Sequence, residues 1–148
     1  MGLTHVNEAG KADMVDVSAK PVVRREAVAR GKIFLQPPTL ALIRENGVRK
    51  GDVLAAARLA GIAAAKKTWE LIPLCHNIPI DKVGVDFELQ DDGVVIAARA
   101  VCSARTGIEM EALTAVSVAA LTVYDMCKAV DQDMVIGPIA LVEKRKGG

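Results

Sequence analysis

Aromatic side chains are almost missing from this 148-residue chain: Phe34, Phe87, Trp69 and Tyr124 are the whole supply, 3 % of it. That excludes an RNA platform of the kind that stacks bases on exposed rings. It also means that the apolar share, 51 %, is mostly Ala, Val, Ile and Leu. Small and branched residues fill a core only where backbones approach closely, so long helices laid on a sheet are expected, with further burial between subunits. Cysteine is scarce and scattered. Cys75, Cys102 and Cys127 form no Cys-x-x-Cys, which argues against a disulfide framework or zinc site and for free thiols in a reducing compartment. His5 and His76 are too few for a histidine-rich metal centre within one subunit. Neither charge sign dominates. Nineteen basic and eighteen acidic residues leave a net charge of +1, with no global pull toward nucleic acid or an anionic membrane. No uninterrupted apolar run reaches the ~18 residues of a membrane span. Met1 to Gly10 lacks the basic and apolar regions of a secretory signal. A cytoplasmic protein with no membrane and no nucleic-acid partner is expected.

What is present reads as one domain, 1–148, with an N-terminal arm over 1–20 and a flexible tail over 143–148. Pro21 to Leu35 alternates imperfectly and predicts an edge strand, stopped by Pro37 and Pro38. Thr39 is the predicted N-cap of a short helix ending near Gly47. Asp52 opens a long Ala-rich helix, Val53 to Leu71, ended by Pro73. Lys82 to Gln90 alternates Val83, Val85, Phe87 and Leu89 against polar neighbours, a half-buried strand. Asp91-Asp92-Gly93 turns it into a return strand, Val94 to Ser103. Glu109 to Val130 is a second long helix. Met134 to Lys144 is a last strand, interrupted by Gly137-Pro138. This order predicts an α+β, ferredoxin-like split βαβ fold: an antiparallel sheet, two long helices on one face and an extra short helix.

Three segments concentrate polar residues at helix ends and turns. Lys50-Gly51-Asp52 sets a lysine beside a helix N-terminus, suited to an anion, although a solvated basic turn has the same composition. Leu74-Cys75-His76 follows a helix stop among apolar residues. His76 suits proton transfer near neutral pH, or it is a core histidine satisfied by backbone. Cys75 reads as a small buried apolar residue, since no base adjoins it. In the last helix, Met110, Glu111, Asp125 and Lys128 fall within about a 100° arc. Asp125 and Lys128 can pair at i,i+3, whereas Glu111 and Asp125 lie about 21 Å apart at ~1.5 Å per residue. If both serve one site, that site joins the helix start of one subunit to the helix end of another.

Longer strings carry more information than these pairs. Met14-Val-Asp-Val-Ser-Ala-Lys20, Lys50-Gly-Asp52, Ala60-Gly-Ile62, Leu71-Ile-Pro-Leu-Cys-His76, Thr106-Gly-Ile-Glu-Met-Glu-Ala-Leu-Thr114 and Tyr124-Asp-Met-Cys-Lys-Ala129 closely resemble the MoaC family. The resemblance runs from about Leu3 to Val142. It departs at Asn77-Ile78-Pro79, where many relatives place a proline directly after the histidine, and at the short tail. There Lys144, Arg145 and Lys146 are either a solvated end or a substitute for contacts made elsewhere in the family.

The resemblance implies a ferredoxin-like fold, a homohexamer built as a trimer of dimers, and active sites at subunit interfaces. It implies a lyase of molybdenum cofactor biosynthesis that converts 3',8-cyclo-7,8-dihydroguanosine 5'-triphosphate to cyclic pyranopterin monophosphate and pyrophosphate. The substrate is supplied by the radical S-adenosylmethionine enzyme MoaA. The family's catalytic positions fall on Asp125, Lys50 and Lys128. Its substrate-binding positions fall on Leu74, Cys75, His76, Met110, Glu111, Glu109, Asp16 and Lys20. No tightly bound cofactor and no protein metal ligands are expected; Mg²⁺ would arrive with the triphosphate. The competing class is a nucleotide- or pterin-binding regulatory module without catalysis, because the fold alone does not choose a function.

Overall fold

The computed structural model describes residues 10–147, so residues 1–9 of the expected arm, His5 among them, lie outside the described residues. The elements in chain order are β1 (Val23–Phe34), α1 (Pro37–Arg44), α2 (Val53–Lys66), α3 (Thr68–Leu71), β2 (Ile80–Gln90), β3 (Gly93–Ala104), α4 (Glu109–Cys127), β4 (Val135–Ile136) and β5 (Ala140–Lys146). The strands form one antiparallel sheet in the order β2–β3–β1, with β4 and β5 sharing the far side of β1. Counted as one broken strand, β4 and β5 complete the split βαβ arrangement of a ferredoxin-like fold.

Several expected boundaries move, each for a local reason. β1 is central, not an edge: Ala27 pairs with Ala100 of β3 on one side and Lys144 of β5 on the other. Its helix-facing residues are Ala27, Ala29, Gly31 and Ile33, and small side chains carry little hydrophobic contrast. Pro37 and Pro38 begin α1 at its first two positions, with Gln36 as N-cap, because the amide hydrogens that proline lacks have no helical partner there. Thr39 is not the cap. Its hydroxyl donates to Asp131 Oδ2 at 2.9 Å, and the Gln36 amide donates to the same oxygen at 2.8 Å. Asp131, a buried carboxylate from beyond α4, thus ties the N-cap residue to the first turn. The expected helix from Val53 to Leu71 breaks at Lys67. The Ala64 carbonyl accepts from the Lys67 amide at 3.0 Å and the Thr68 hydroxyl at 3.1 Å, which replaces the regular helical bond. α4 ends at Cys127, short of Val130. Residues 143–146, expected within a flexible tail, are the second half of β5.

The scarcity of rings has its structural counterpart in close backbone packing. α2 and α4 lie side by side on one sheet face, and a Cβ at Gly61 of α2 would meet the Ala115 carbonyl of α4 at 2.9 Å. A Cβ at Gly31 of β1 would meet Val116 of α4 at 3.0 Å. α4 is long and apolar enough to cross a membrane by length and composition alone. Its Ala112, Ala115, Val116, Ala119, Ala120 and Val123 are buried against the sheet and α2, the position of a core helix.

Candidate functional site

α4 carries the predicted polar residues at its two ends. β3 ends at Ala104, and a short turn through Thr106 and Gly107 starts α4 at Glu109. Glu109 and Glu111 occupy its first turn, where the helix dipole favours negative charge. The segment after α3 brings Leu74, Cys75 and His76 alongside. The arm crosses above: His76 Nε2 lies 2.7 Å from the Val15 carbonyl, so this nitrogen carries the hydrogen and donates it. Between these pieces opens a cleft of about 280 Å³, lined by Lys20, Leu74, Cys75, His76, Glu109 and Met110 among others. Asp16 sits in an adjoining hollow with His76 and Arg105. It accepts the Ser18 amide hydrogen at 2.9 Å, and that bond holds its carboxyl below the ordinary range.

Glu111 lies behind this cleft and is 2 % exposed. Burial, reinforced by the neighbouring Glu109 charge, pushes its carboxyl up to about 7, against an opposing backbone hydrogen bond. Its Oε1 is buried and has no hydrogen-bond partner among the described residues, and the same holds for Glu109 Oε2. Cys75 Sγ is 4.0 Å from Glu111 Oε2. Burial and then the Glu111 and Glu109 charges push this thiol up to about 11, so it is a neutral donor and not a nucleophile. The arrangement holds a carboxylic acid that exchanges its proton near neutral pH.

At the other end of α4, Asp125 is held between two lysines. Lys128 Nζ reaches Oδ1 at 2.9 Å, and Lys50 Nζ reaches both Oδ2 and the Asp125 carbonyl at 3.1 Å. The Lys128 hydrogen bond, then that of Lys50, holds the Asp125 carboxyl below its ordinary range, and Asp125 in turn raises Lys128. Lys50 also places a cation at the carbonyl end of the helix dipole. All three side chains are about half exposed, at 48, 58 and 59 % for Lys50, Asp125 and Lys128. They form a cationic surface with a fixed anion at its centre.

The chain thus gathers Lys20, Leu74, Cys75, His76, Glu109, Met110 and Glu111 at one helix end, with Asp16 adjacent. It gathers Lys50, Asp125 and Lys128 at the other. It does not bring the groups together: Glu111 and Asp125 are fourteen positions apart in one straight element, about 21 Å at ~1.5 Å per residue. The sequence did not point to Lys144 as a partner of Glu109, 3.6 Å away across the fold. Strand register decides that contact, and no local pattern announces it. Among the described residues, no cluster of three or more His, Cys, Asp or Glu side chains could hold a metal ion.

Comparison with known proteins places this geometry in context. The family model described as "MoaC family" matches residues 14–147. The chain is 60 % identical over 147 residues to the cyclic pyranopterin monophosphate synthase of Thermomicrobium roseum, covering 98 % of this chain and 89 % of that protein. It is 55 % identical over 146 residues to the protein of that name from Brevibacillus brevis, covering 98 % and 91 %.

Proposed function

The chain belongs to the MoaC family, and from that premise we propose that it is a cyclic pyranopterin monophosphate synthase whose active centre joins the two ends of α4 from neighbouring subunits. It is a lyase of molybdenum cofactor biosynthesis. Its substrate is 3',8-cyclo-7,8-dihydroguanosine 5'-triphosphate, and its products are cyclic pyranopterin monophosphate and pyrophosphate.

The observation that carries the composite site is the Lys50–Asp125–Lys128 cluster. A triphosphate needs cations, and this is where they converge. Asp125 stays ionised and orients both ammonium groups. A lysine that exchanges Asp125 for phosphate oxygens can also donate a proton toward the phosphate as pyrophosphate leaves. The rearrangement opens one ring and closes others, so it moves protons between groups of different acidity. Glu111 supports that role because it is poised near neutral pH, and His76 is oriented by the Val15 carbonyl. The separation of the two clusters supports the interfacial site and hence a homo-oligomer, which we read as a hexamer arranged as a trimer of dimers. Three free cysteines support a reducing, cytoplasmic setting. Mg²⁺ would enter with the triphosphate. MoaA is the functional partner that supplies the substrate.

Turnover of the cyclised dihydro-GTP, followed by pyrophosphate release and by pterin fluorescence after oxidation, tests this reading. Product from the wild type, with little from Asp125→Ala and Lys50→Ala, is expected. Tight binding of the nucleotide without product would assign the chain to the regulatory-module class instead.

A further inference from the structure

β5 pairs with β1 in two registers. Ala29 is opposite Leu141, but Val28 is opposite Glu143, so Val142 is an extra residue, a β-bulge. Side chains alternate between sheet faces, so one extra residue reverses the facing of everything that follows it. Without the bulge, Glu143 would stand opposite Ala27, on the face that packs against α4. With it, Lys144 stands there. Its Nζ lies 3.6 Å from Glu109 Oε1. The other Glu109 oxygen is buried without a hydrogen bond among the described residues, and the carboxylate lies so close over Gly107 that any Cβ at 107 would collide with it. Glu109 is therefore held from two sides at the wall of the cleft that also contains Lys20, Cys75 and His76.

We propose that Lys144 is a positioning residue of this site: the bulge at Val142 turns it toward α4, where it holds the Glu109 carboxylate over Gly107 at the wall of the cleft. This rests on the reading of the cleft as half of the active centre. Bulges recur beside functional sites, where the change of facing re-aims a side chain toward the site. The consequence is also electrostatic. Glu111 is buried beside the Glu109 charge, and the groups facing the pair are Cys75 and His76 from the loop before β2, Cys102 from β3 and Lys20 from the arm. Lys144 adds a cation from β5, which opposes the upward push of Glu109 on the Glu111 carboxyl.

Two measurements on the full-length protein test this. In steady-state turnover of the cyclised dihydro-GTP, Lys144→Met should lower kcat/KM by about fivefold, the upper range for an exposed ion pair, and Lys144→Arg should restore it. In the Glu109→Gln background, Lys144→Met should cause no further loss. Additive losses, or failure of arginine to rescue, would overturn the positioning role. The second readout needs no turnover: ¹³C-carboxyl NMR of labelled glutamate should show the Glu111 midpoint higher in Lys144→Met than in wild type and restored in Lys144→Arg. An unmoved midpoint would overturn the inference. A wild type without turnover but with the moved midpoint would reject the assigned reaction and leave the Lys144 contact standing.

Discussion

Glu111→Gln should change stability in a way that depends steeply on pH. An unfolded glutamate titrates near 4.3, while folded Glu111 titrates at about 7 because burial penalises its charge. The folded-state value is raised, so the group's contribution is fully present below about 4.3 and is lost as pH rises through about 7. At ~1.36 kcal/mol per pH unit of separation, the full loss is roughly 3–4 kcal/mol. Roughly 1 kcal/mol of this is already gone at pH 5, which leaves about 2–3 kcal/mol between pH 5 and pH 9. At 2 % exposure there is little solvent screening to reduce it. Glutamine has nearly the same shape and no ionisation. Urea unfolding at fixed protein concentration should therefore show Glu111→Gln gaining about 2–3 kcal/mol relative to wild type as pH goes from 5 to 9. An offset between the two proteins that is constant over this range would refute the reasoning, because it would mean that Glu111 ionises as readily folded as unfolded.

Other consequences follow from named contacts. Asp131→Ala leaves the Gln36 amide and the Thr39 hydroxyl without their acceptor, as well as the Asp133 amide at 3.2 Å, and should cost about 3 kcal/mol by urea unfolding. A loss below ~1 kcal/mol would mean that water replaces the carboxylate. Gly61→Ala forces a methyl against the Ala115 carbonyl, so α2 must back away from α4; the expected net loss is about 1–2 kcal/mol despite the better helix propensity of alanine. An unchanged denaturation midpoint would show that the helices are less tightly seated. Gly107→Ala has the movable Glu109 carboxylate as its nearest obstacle, so it should lower turnover while leaving the thermal midpoint within about 2 °C.

The sequence revealed those parts of the fold whose signals are local. Val83, Val85, Phe87 and Leu89 alternate in β2, Asp52 accepts the Ala55 amide at 3.0 Å as a helix cap, and Asp91-Asp92-Gly93 sets the β2–β3 turn. It was misleading where distant partners decide the outcome. β1 resembled an edge because three of the four residues on its core face are Ala or Gly. α1 seemed to start at Thr39 because the acceptor of its hydroxyl, Asp131, lies more than ninety residues away. The β5 register, and with it the facing of Lys144, depends on one bulged residue. The division of the polar residues between two helix ends, by contrast, follows from helical rise alone. Each local cluster is contiguous enough to read in sequence, but the meeting of two subunits is not encoded in any one stretch of chain.

The composite centre is tested most directly by mixing two variants of strongly reduced but measurable activity. Asp125→Ala impairs the α4 C-terminal half, and Glu109→Gln impairs the N-terminal half. After unfolding and refolding together in equal amounts, sites built across subunits would be intact with a probability of about one quarter, and turnover of the cyclised dihydro-GTP should recover to about that fraction of wild type. Activity that stays at the level of the separate variants would contradict a site shared between neighbouring chains.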